Sequence, residues 1–273
     1  KGIKESGKVQ VVTTALKLIP LLFVIIVGLF YFDTANFPPF NLTGNSDFAT
    51  FPVVAALTLY AFLGLECATV PAANVENPAV TVSRATMLGT ILTAIVYILG
   101  TIVLFGIVPL DLLQNSAAPF AEAAKRIGGD YAGYFVAGGV VISGLGVLNG
   151  WMLIVGQVPM ATAKDNLFPP IFKKENKNGA PIIGLIIGSI LSSAVMLMNF
   201  TQGLVDQFKF IAEITVFSAV VPYVFTAAAY PLVLIERKLH AKSWIKTFVL
   251  ASLGFAYSVW AVFGSGPDIV FYG

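Results

Sequence analysis

Seven long apolar segments alternate with shorter polar segments along this chain. The apolar segments cover residues 11–32, 53–73, 85–108, 134–162, 182–198, 210–235 and 245–263. An α-helix needs roughly 17 to 25 such residues to cross a hydrocarbon layer of about 30 Å. The pattern therefore predicts an all-α integral membrane protein with seven transmembrane helices.

The second segment contains an interruption. Residues 53–63 are apolar almost throughout, but Gly64, Glu66 and Pro71 then follow within the same crossing. Glycine weakens a helix by about 1 kcal/mol relative to alanine, and proline removes a backbone donor. Unwound backbone at membrane depth is tolerated where it lines a cavity or lies inside the protein. We therefore expect residues 64–69 to be non-helical and Glu66 to point into the helix bundle.

Composition supports the membrane assignment. The chain of 273 residues is 57% hydrophobic and 11% charged, which is more apolar surface than a soluble core of this size can bury. A net charge of +2 gives no reason to expect nucleic acid as a partner, and the single Cys67 excludes a disulfide framework within the chain. His240 has no second histidine or cysteine placed to form a metal site, and no cofactor is expected. Because the chain opens with neither Met nor a signal peptide, we expect an interior piece of a longer protein.

The basic residues predict the orientation. Cytoplasmic loops of membrane proteins carry an excess of lysine and arginine. With the N terminus inside, the outer loops hold only Lys125, Arg126 and Lys209. The inner side holds twelve basic residues: Lys1, Lys4, Lys8, Arg84, Lys164, Lys173, Lys174, Lys177, Arg237, Lys238, Lys242 and Lys246. We expect a multi-pass protein of the plasma (inner) membrane whose N terminus is cytoplasmic.

Two features near the fourth segment carry structural predictions. Residues 119–127 (PFAEAAKRI) have helix-forming composition and are too short to span, so we place them in the interface plane. The fourth segment is rich in small residues, which let helices pack closely in lipid. Packing does not explain Asn149 and Trp151 near mid-span. Contact with a neighbouring helix and lining of a cavity are equally open for Trp151.

Five short motifs resemble one transporter superfamily. They are YAFLGLECATVPAANVENP at 60–78, APF at 118–120, GW at 150–151, DNLFPPIF at 165–172 and VPY at 221–223. In this order and spacing they resemble the amino acid, polyamine and organocation transporters. The likeness is closest to the basic amino acid and polyamine antiporters, typified by the arginine/agmatine antiporter, and it covers essentially the whole chain.

The resemblance implies a LeuT-like inverted-repeat fold of twelve helices around a midplane site. The chain would be a single polytopic domain over 1–273 that holds family helices five to eleven, one of them broken. The first four helices and the last would be absent. The first helix supplies much of the substrate cradle in this family, so the chain alone would not complete a binding site.

The resemblance also implies roles for individual residues. Tyr60 stands where the arginine/agmatine antiporter has a tryptophan that stacks on the guanidinium, and the smaller ring still offers a cation–π face. Glu66 matches the acidic residue of the broken helix, which acts in the inner gate and in pH sensing. Trp151 matches the aromatic residue of the middle gate, and Leu63 and Thr215 match other positions that line the site. Tyr60 and Trp151 are thus expected on one cavity.

Lys17 is a charged residue inside the first segment. It departs from the arginine/agmatine antiporter and resembles proton-coupled, sodium-independent relatives, in which a lysine occupies the place of sodium. Such a lysine would reach toward the fourth segment, where Ser143 and Asn149 offer oxygen acceptors. The alternative is a lysine that extends to the inner headgroups. For Glu66 the alternative is a protonated acid that ties two helices together. We favour proton coupling for both residues.

Three classes of function can be separated. A secondary transporter accounts for the broken helix and the intramembrane charges together. A membrane enzyme would need a catalytic motif, and a channel would need a filter sequence; neither occurs in the sequence. We expect a sodium-independent exchanger or proton-coupled carrier of amino acids with a preference for cationic ones. A polyamine or amine antiporter is the alternative, and a homodimer is left open.

Overall fold

The described part of the chain is built of helices. The structure is a computed structural model that describes residues 3–37, 39–70, 75–177, 179–198, 203–236 and 244–264, and it has no β-strand within these ranges. Pro71 and His240 lie outside them. The helices are α1 (Ile3–Gly28), α2 (Asp47–Tyr60), α3 (Pro78–Ile107), α4 (Leu110–Leu113), α5 (Pro119–Lys164), α6 (Ile182–Met198), α7 (Leu204–Glu236) and α8 (Trp244–Gly264). The predicted all-α membrane fold is confirmed.

Each of the seven predicted spans contains a described helix, and residues 71–73 at the end of the second span lie outside the described ranges. Six described segments are long and apolar enough to cross a membrane, and α6 adds a shorter apolar helix of 17 residues. The predicted starts are less accurate: α1 begins at Ile3, α3 at Pro78 and α7 at Leu204, each several residues before the apolar segment. Helical hydrogen bonding continues beyond the hydrocarbon layer, so hydropathy alone does not mark the end of a helix.

The chain divides into two compact units. The first comprises Lys1–Pro38 and Leu65–Gln202, and the second comprises Pro39–Gly64 and Gly203–Gly273. The expectation of one polytopic domain over 1–273 remains a prediction.

In the first unit α1 and α5 pack as an antiparallel pair through glycines of α5. Pro20 lies against Gly139, Thr13 against Gly146, and Gln10 against Gly150. A Cβ at position 146 would stand 2.6 Å from the hydroxyl oxygen of Thr13, and one at position 150 would stand 3.3 Å from the Gln10 side-chain oxygen. The small residues of α5 therefore bring the two backbones close, as the sequence predicted for the fourth span.

A kink separates the N-terminal part of α5 from the rest of that helix. Gly128 and Gly129 have non-helical backbone angles, and Gly129 has a φ of 71°, a conformation that glycine adopts without strain. Before this kink, Ala123 and Ala124 are fully buried beside Val24 in an apolar cluster. The remaining buried members are Val103, Ile107, Val108, Ile127 and Val136. The amphipathic helix predicted at 119–127 thus forms; its position relative to a membrane remains a prediction.

The second unit packs α2, α7 and α8 together. Its core consists of Ala56, Val216, Val220 and Ala261, each no more than 2% exposed. Gly264 approaches the backbone of Pro52 so closely that a Cβ there would overlap its carbonyl group. This unit supplies the C-terminal end of α2, where the interruption begins.

Candidate functional site

The second span is interrupted where the sequence predicted. The helix α2 ends at Tyr60, a turn follows, and Gly64 has a φ of +96°. The amides of Phe62 and Leu63 donate to the carbonyls three residues earlier, at 2.9 and 3.2 Å. Residues Leu65–Thr69 then form a 3₁₀ helix. The expectation that 64–69 would be non-helical is therefore wrong in detail, because three-residue hydrogen bonding retains a tight helical turn after the α-helix stops.

Glu66 lies in the second position of this 3₁₀ helix. Its backbone carbonyl accepts a hydrogen bond from the Thr69 hydroxyl at 2.8 Å. Its side chain is exposed in the first unit, where α3 lies against the 3₁₀ segment. The expected burial of the Glu66 carboxylate inside a bundle is not seen within that unit. Its assignment to a substrate or proton pathway remains a prediction.

Tyr60 and Leu63 share one apolar cluster in the second unit. Both pack against the core that contains Val216 of α7. The Tyr60 ring meets the ring of Phe208 edge to face, with centroids 5.4 Å apart and planes at 86°. Such pairs contribute roughly 0.5–1.5 kcal/mol beyond area burial. The contact with α7 therefore holds the Tyr60 ring at the end of α2, immediately before the interruption.

Thr215 precedes Val216 on the same helix. Its hydroxyl donates to the Ile211 carbonyl at 2.6 Å. The hydroxyl proton is thus engaged by the helix itself, and the oxygen keeps capacity to accept a further hydrogen bond. The assignment of Thr215 to the substrate site remains a prediction.

Trp151 lies on α5, in the first unit, and its side chain is 40% exposed. The preceding Gly150 faces Gln10 of α1. One turn after Trp151, Val155 contacts Gly188 of α6. Because residues four apart share a helix face, Trp151 lies on the face of α5 that is turned toward α6. Tyr60 belongs to the other unit, so the expectation that the two rings share a cavity remains a prediction.

Lys17 lies on the side of α1 that packs on α5. It falls between Thr13 and Pro20 at helical spacing, and these two residues contact Gly146 and Gly139. The antiparallel pairing therefore puts position 17 level with Ile142 and Ser143. Lys17 is half-buried. Its position agrees with a side chain that leads toward the fourth span, while its role in proton coupling is untested.

The sequence did not indicate the aromatic partner of Tyr60. Phe208 is 57% exposed and lies near the start of α7, in a segment that hydropathy placed outside the sixth span. Nearby, Glu213 forms an ion pair with Lys209, with 3.9 Å between the Glu213 Oε1 and Lys209 Nζ atoms. A helical projection that included residues 204–209 would have placed Phe208 one turn before Ala212, on the face that carries Val216.

Comparison with known proteins defines the family. Apolar helices of spanning length, one of them interrupted, indicate a multi-pass membrane protein. The profile of the amino acid permease family matches residues 1–269. The putrescine transporter PotE of Haemophilus influenzae is 32% identical over 273 residues, which is 100% of this chain and 63% of that protein. PotE of Escherichia coli K12 is 33% identical over 284 residues, which is 100% of this chain and 62% of PotE.

A third relative is named for different substrates. The cadaverine/lysine antiporter of Escherichia coli K12 is 35% identical over 226 residues, which is 81% of this chain and 51% of the antiporter. The chain thus spans less than two thirds of the length of each of these relatives. It belongs to the amino acid permease family, within the amino acid, polyamine and organocation superfamily. The names of these relatives denote transporters and not enzymes.

Proposed function

We propose that the full-length protein is a sodium-independent secondary transporter that exchanges basic amino acids and small cationic amines. The observation that carries this proposal is the interruption of the second span beside Glu66. Discontinuous spanning helices hold substrate and ion sites in secondary transporters. The relatives named for putrescine and for cadaverine and lysine support the same substrate class.

The substrate class follows from what the side chains can recognise. A basic amino acid and a diamine share a primary ammonium at the end of a flexible chain, and only the amino acid carries a carboxylate. Glu66 supplies a negative charge, Tyr60 a cation–π face and Thr215 an acceptor oxygen, all suited to an ammonium. Leu63 and Trp151 would provide apolar surface for the methylene chain. These residues would recognise the ammonium group that the amino acid and the amine share. One site could then bind either substrate, so exchange of an amino acid for an amine requires no second site.

Exchange is best distinguished from other modes in proteoliposomes that contain the full-length protein. Liposomes preloaded with unlabelled lysine or putrescine should take up labelled lysine faster than empty liposomes, with or without sodium. A channel would give no acceleration by preloading. A carrier of neutral substrates would respond to leucine and not to either cation, and that result would overturn the proposed substrate class.

Lys17 is proposed to make transport sensitive to pH. An ammonium in the place of sodium would repel that ion, so a sodium gradient could not drive uptake. Lys17→Ala in the full-length protein should flatten the pH dependence of lysine exchange and should preserve substrate binding. Lys8→Ala, which removes an exposed lysine from the same helix, is the matched control and should keep the wild-type profile. Sodium-dependent uptake by the wild type would contradict this role.

A further inference from the structure

The connection between α5 and α6 folds back toward the spanning part of the first unit. Gly156 of α5 lies against Pro181 and Leu185, so it is level with the start of α6. Because α6 has only 17 residues, close to the minimum that crosses a hydrocarbon layer, its start marks the edge of the spanning region. From Gly156 the helix α5 continues to Lys164, about 12 Å beyond this edge. A 3₁₀ helix, Pro170–Lys173, contacts both α5 and α6 and therefore lies beside the projecting end of α5, close to that edge.

Local contacts give this connection a defined shape. The Leu167 amide donates to the Thr162 carbonyl at 3.0 Å, so the chain makes one further turn after α5 ends. The rings of Phe168 and Phe172 then pack together, with centroids 4.8 Å apart and planes at 56°. The residues between them are therefore presented as a fixed surface that does not depend on any other part of the protein.

That surface is apolar and exposed. We call residues 167–171 (LFPPI) the apolar segment. Leu167 is 78% exposed, Phe168 43% and Ile171 49%. A continuous exposed apolar patch marks a site of interaction with a protein or a membrane. The charges that surround this patch distinguish between the two.

Positive charge surrounds the apolar segment. Residues 164–181 contain four lysines and two acidic residues, which give a net charge of +2. The Lys164 Nζ and Glu175 Oε1 atoms form an ion pair at 2.6 Å, so one acidic residue is neutralised within the protein. Asp165 is the other. The lysines that remain are Lys173, Lys174 and Lys177.

Lys173 brings one of these charges directly beside the apolar segment. Its Nζ atom donates to the Asn166 side-chain oxygen at 2.9 Å, and Asn166 immediately precedes Leu167. The amide is neutral, so the ammonium keeps its full charge. Lys174 and Lys177 are exposed. Apolar side chains next to cations match the surface of an anionic bilayer, where hydrocarbon lies directly below phosphate.

We propose that the α5–α6 connection docks on the anionic phospholipids of the bilayer that α5 and α6 cross. The apolar segment inserts among the headgroups, and Lys173, Lys174 and Lys177 contact their phosphates. The 3₁₀ helix lies near the edge of the spanning region, so the headgroup layer is within reach. An acidic protein partner would match the lysines and leave the apolar segment in water, whereas the bilayer surface accommodates both.

The test uses the full-length protein, without other cysteines, carrying Leu167→Cys labelled with the fluorophore NBD. The protein is placed in nanodiscs of phosphatidylcholine alone or mixed with phosphatidylglycerol, and each contains a lipid with a nitroxide near the top of its acyl chain. Nitroxide quenching measures the ratio of inserted to free probe. This ratio should be high with phosphatidylglycerol and several-fold lower in phosphatidylcholine alone.

Charge variants test the headgroup contact. Each basic residue near an anionic surface contributes about a fivefold preference, so Lys174→Gln with Lys177→Gln should lower the ratio roughly 25-fold in phosphatidylglycerol. Lys125→Gln with Arg126→Gln removes the same charge from an exposed part of α5 before its kink and should leave the ratio unchanged.

Three results would overturn the proposal. Equal quenching in the two lipids would mean that the apolar segment inserts without recognising anionic headgroups. Absence of quenching in both would mean that water or another protein segment covers it. An unchanged ratio in the Lys174→Gln, Lys177→Gln variant would show that these lysines do not contact the phosphates.

Discussion

Tyr60 is the proposed binding residue whose surroundings are defined most completely. Tyr60 is the last residue of α2. Its ring packs edge to face with the ring of Phe208, with 5.4 Å between the centroids. The two ring planes lie at 86°, so Phe208 occupies at most one face of the phenol and leaves the question of what the other face binds. For a cationic substrate we expect that face to bind the charged end, because the face of an aromatic ring attracts an ammonium or guanidinium group.

Replacing Tyr60 by Leu should therefore weaken binding of lysine or putrescine by about 0.5–2 kcal/mol, which is the range for a cation–π contact. Tyr60→Phe keeps the ring and its contact with Phe208, and is the matched control. Binding to the purified full-length variants, measured by calorimetry, should be close to wild type for Phe and reduced for Leu. Equal loss in both variants would assign the effect to the hydroxyl group and contradict the cation–π contact.

Glu66 and Lys17 show the limit of residue-level prediction. A carboxylate and an ammonium inside apolar segments are visible in the sequence, and their cost in lipid makes a functional role the default interpretation. The direction in which each side chain points depends on helix rotation and on the neighbouring helices. That is why Lys17 could be placed on the correct span while the exposure of Glu66 within its unit was not foreseen.

At the scale of elements, hydropathy located every span but not its ends or its packing face. Gly138 and Gly139 illustrate the second point. Both are glycines in the same helix, yet a Cβ at 139 would overlap the Pro20 ring, whereas one at 138 would meet nothing within 4 Å. Only the position of α1 distinguishes them, and composition carries no record of it. The kink at Gly128 and Gly129 is hidden in the same way within an otherwise helical pattern.

The neighbouring glycines give a prediction about stability. Gly139→Ala should destabilise the pairing of α1 with α5 by about 1–3 kcal/mol, the usual range for overpacking. Gly138→Ala adds the same methyl group on an open face and should be neutral or stabilising by up to about 1 kcal/mol through helix propensity. Thermal unfolding in detergent should show a lower midpoint for Gly139→Ala alone. Identical midpoints would mean that the two helices are not packed through Gly139.

At the scale of the whole molecule, the proposed transport residues fall in both units. Tyr60, Leu63 and Thr215 belong to the second unit, and Lys17, Glu66 and Trp151 belong to the first. The order of the motifs predicted the family, because that order can be read from the sequence without any structure. A shared cavity depends on how elements of both units are arranged in three dimensions, and this chain spans 62–63% of the length of the PotE relatives. The shared cavity remains a prediction.

Orientation is a second prediction at this scale. The excess of basic residues on one side predicts that the loop with Lys174 is cytoplasmic and that the helical segment with Arg126 is outside. In a full-length background without other cysteines, Arg126→Cys should react with an impermeant maleimide in intact cells, and Lys174→Cys should react only after the membrane is opened. Reversed labelling would invert the assigned topology and would put the N terminus of this chain outside.

The most direct test of the central claim uses Cys67, which follows Glu66 in the interruption. If the interruption lines the substrate pathway, a small cationic methanethiosulfonate should modify Cys67 in the full-length protein. Saturating lysine or putrescine should slow that modification, and leucine should not. Peptide mass spectrometry identifies the modified site, and Cys67→Ala serves as the blank. Failure of Cys67 to react, or a rate unchanged by either cationic substrate, would contradict the assignment of the interruption to the transport pathway.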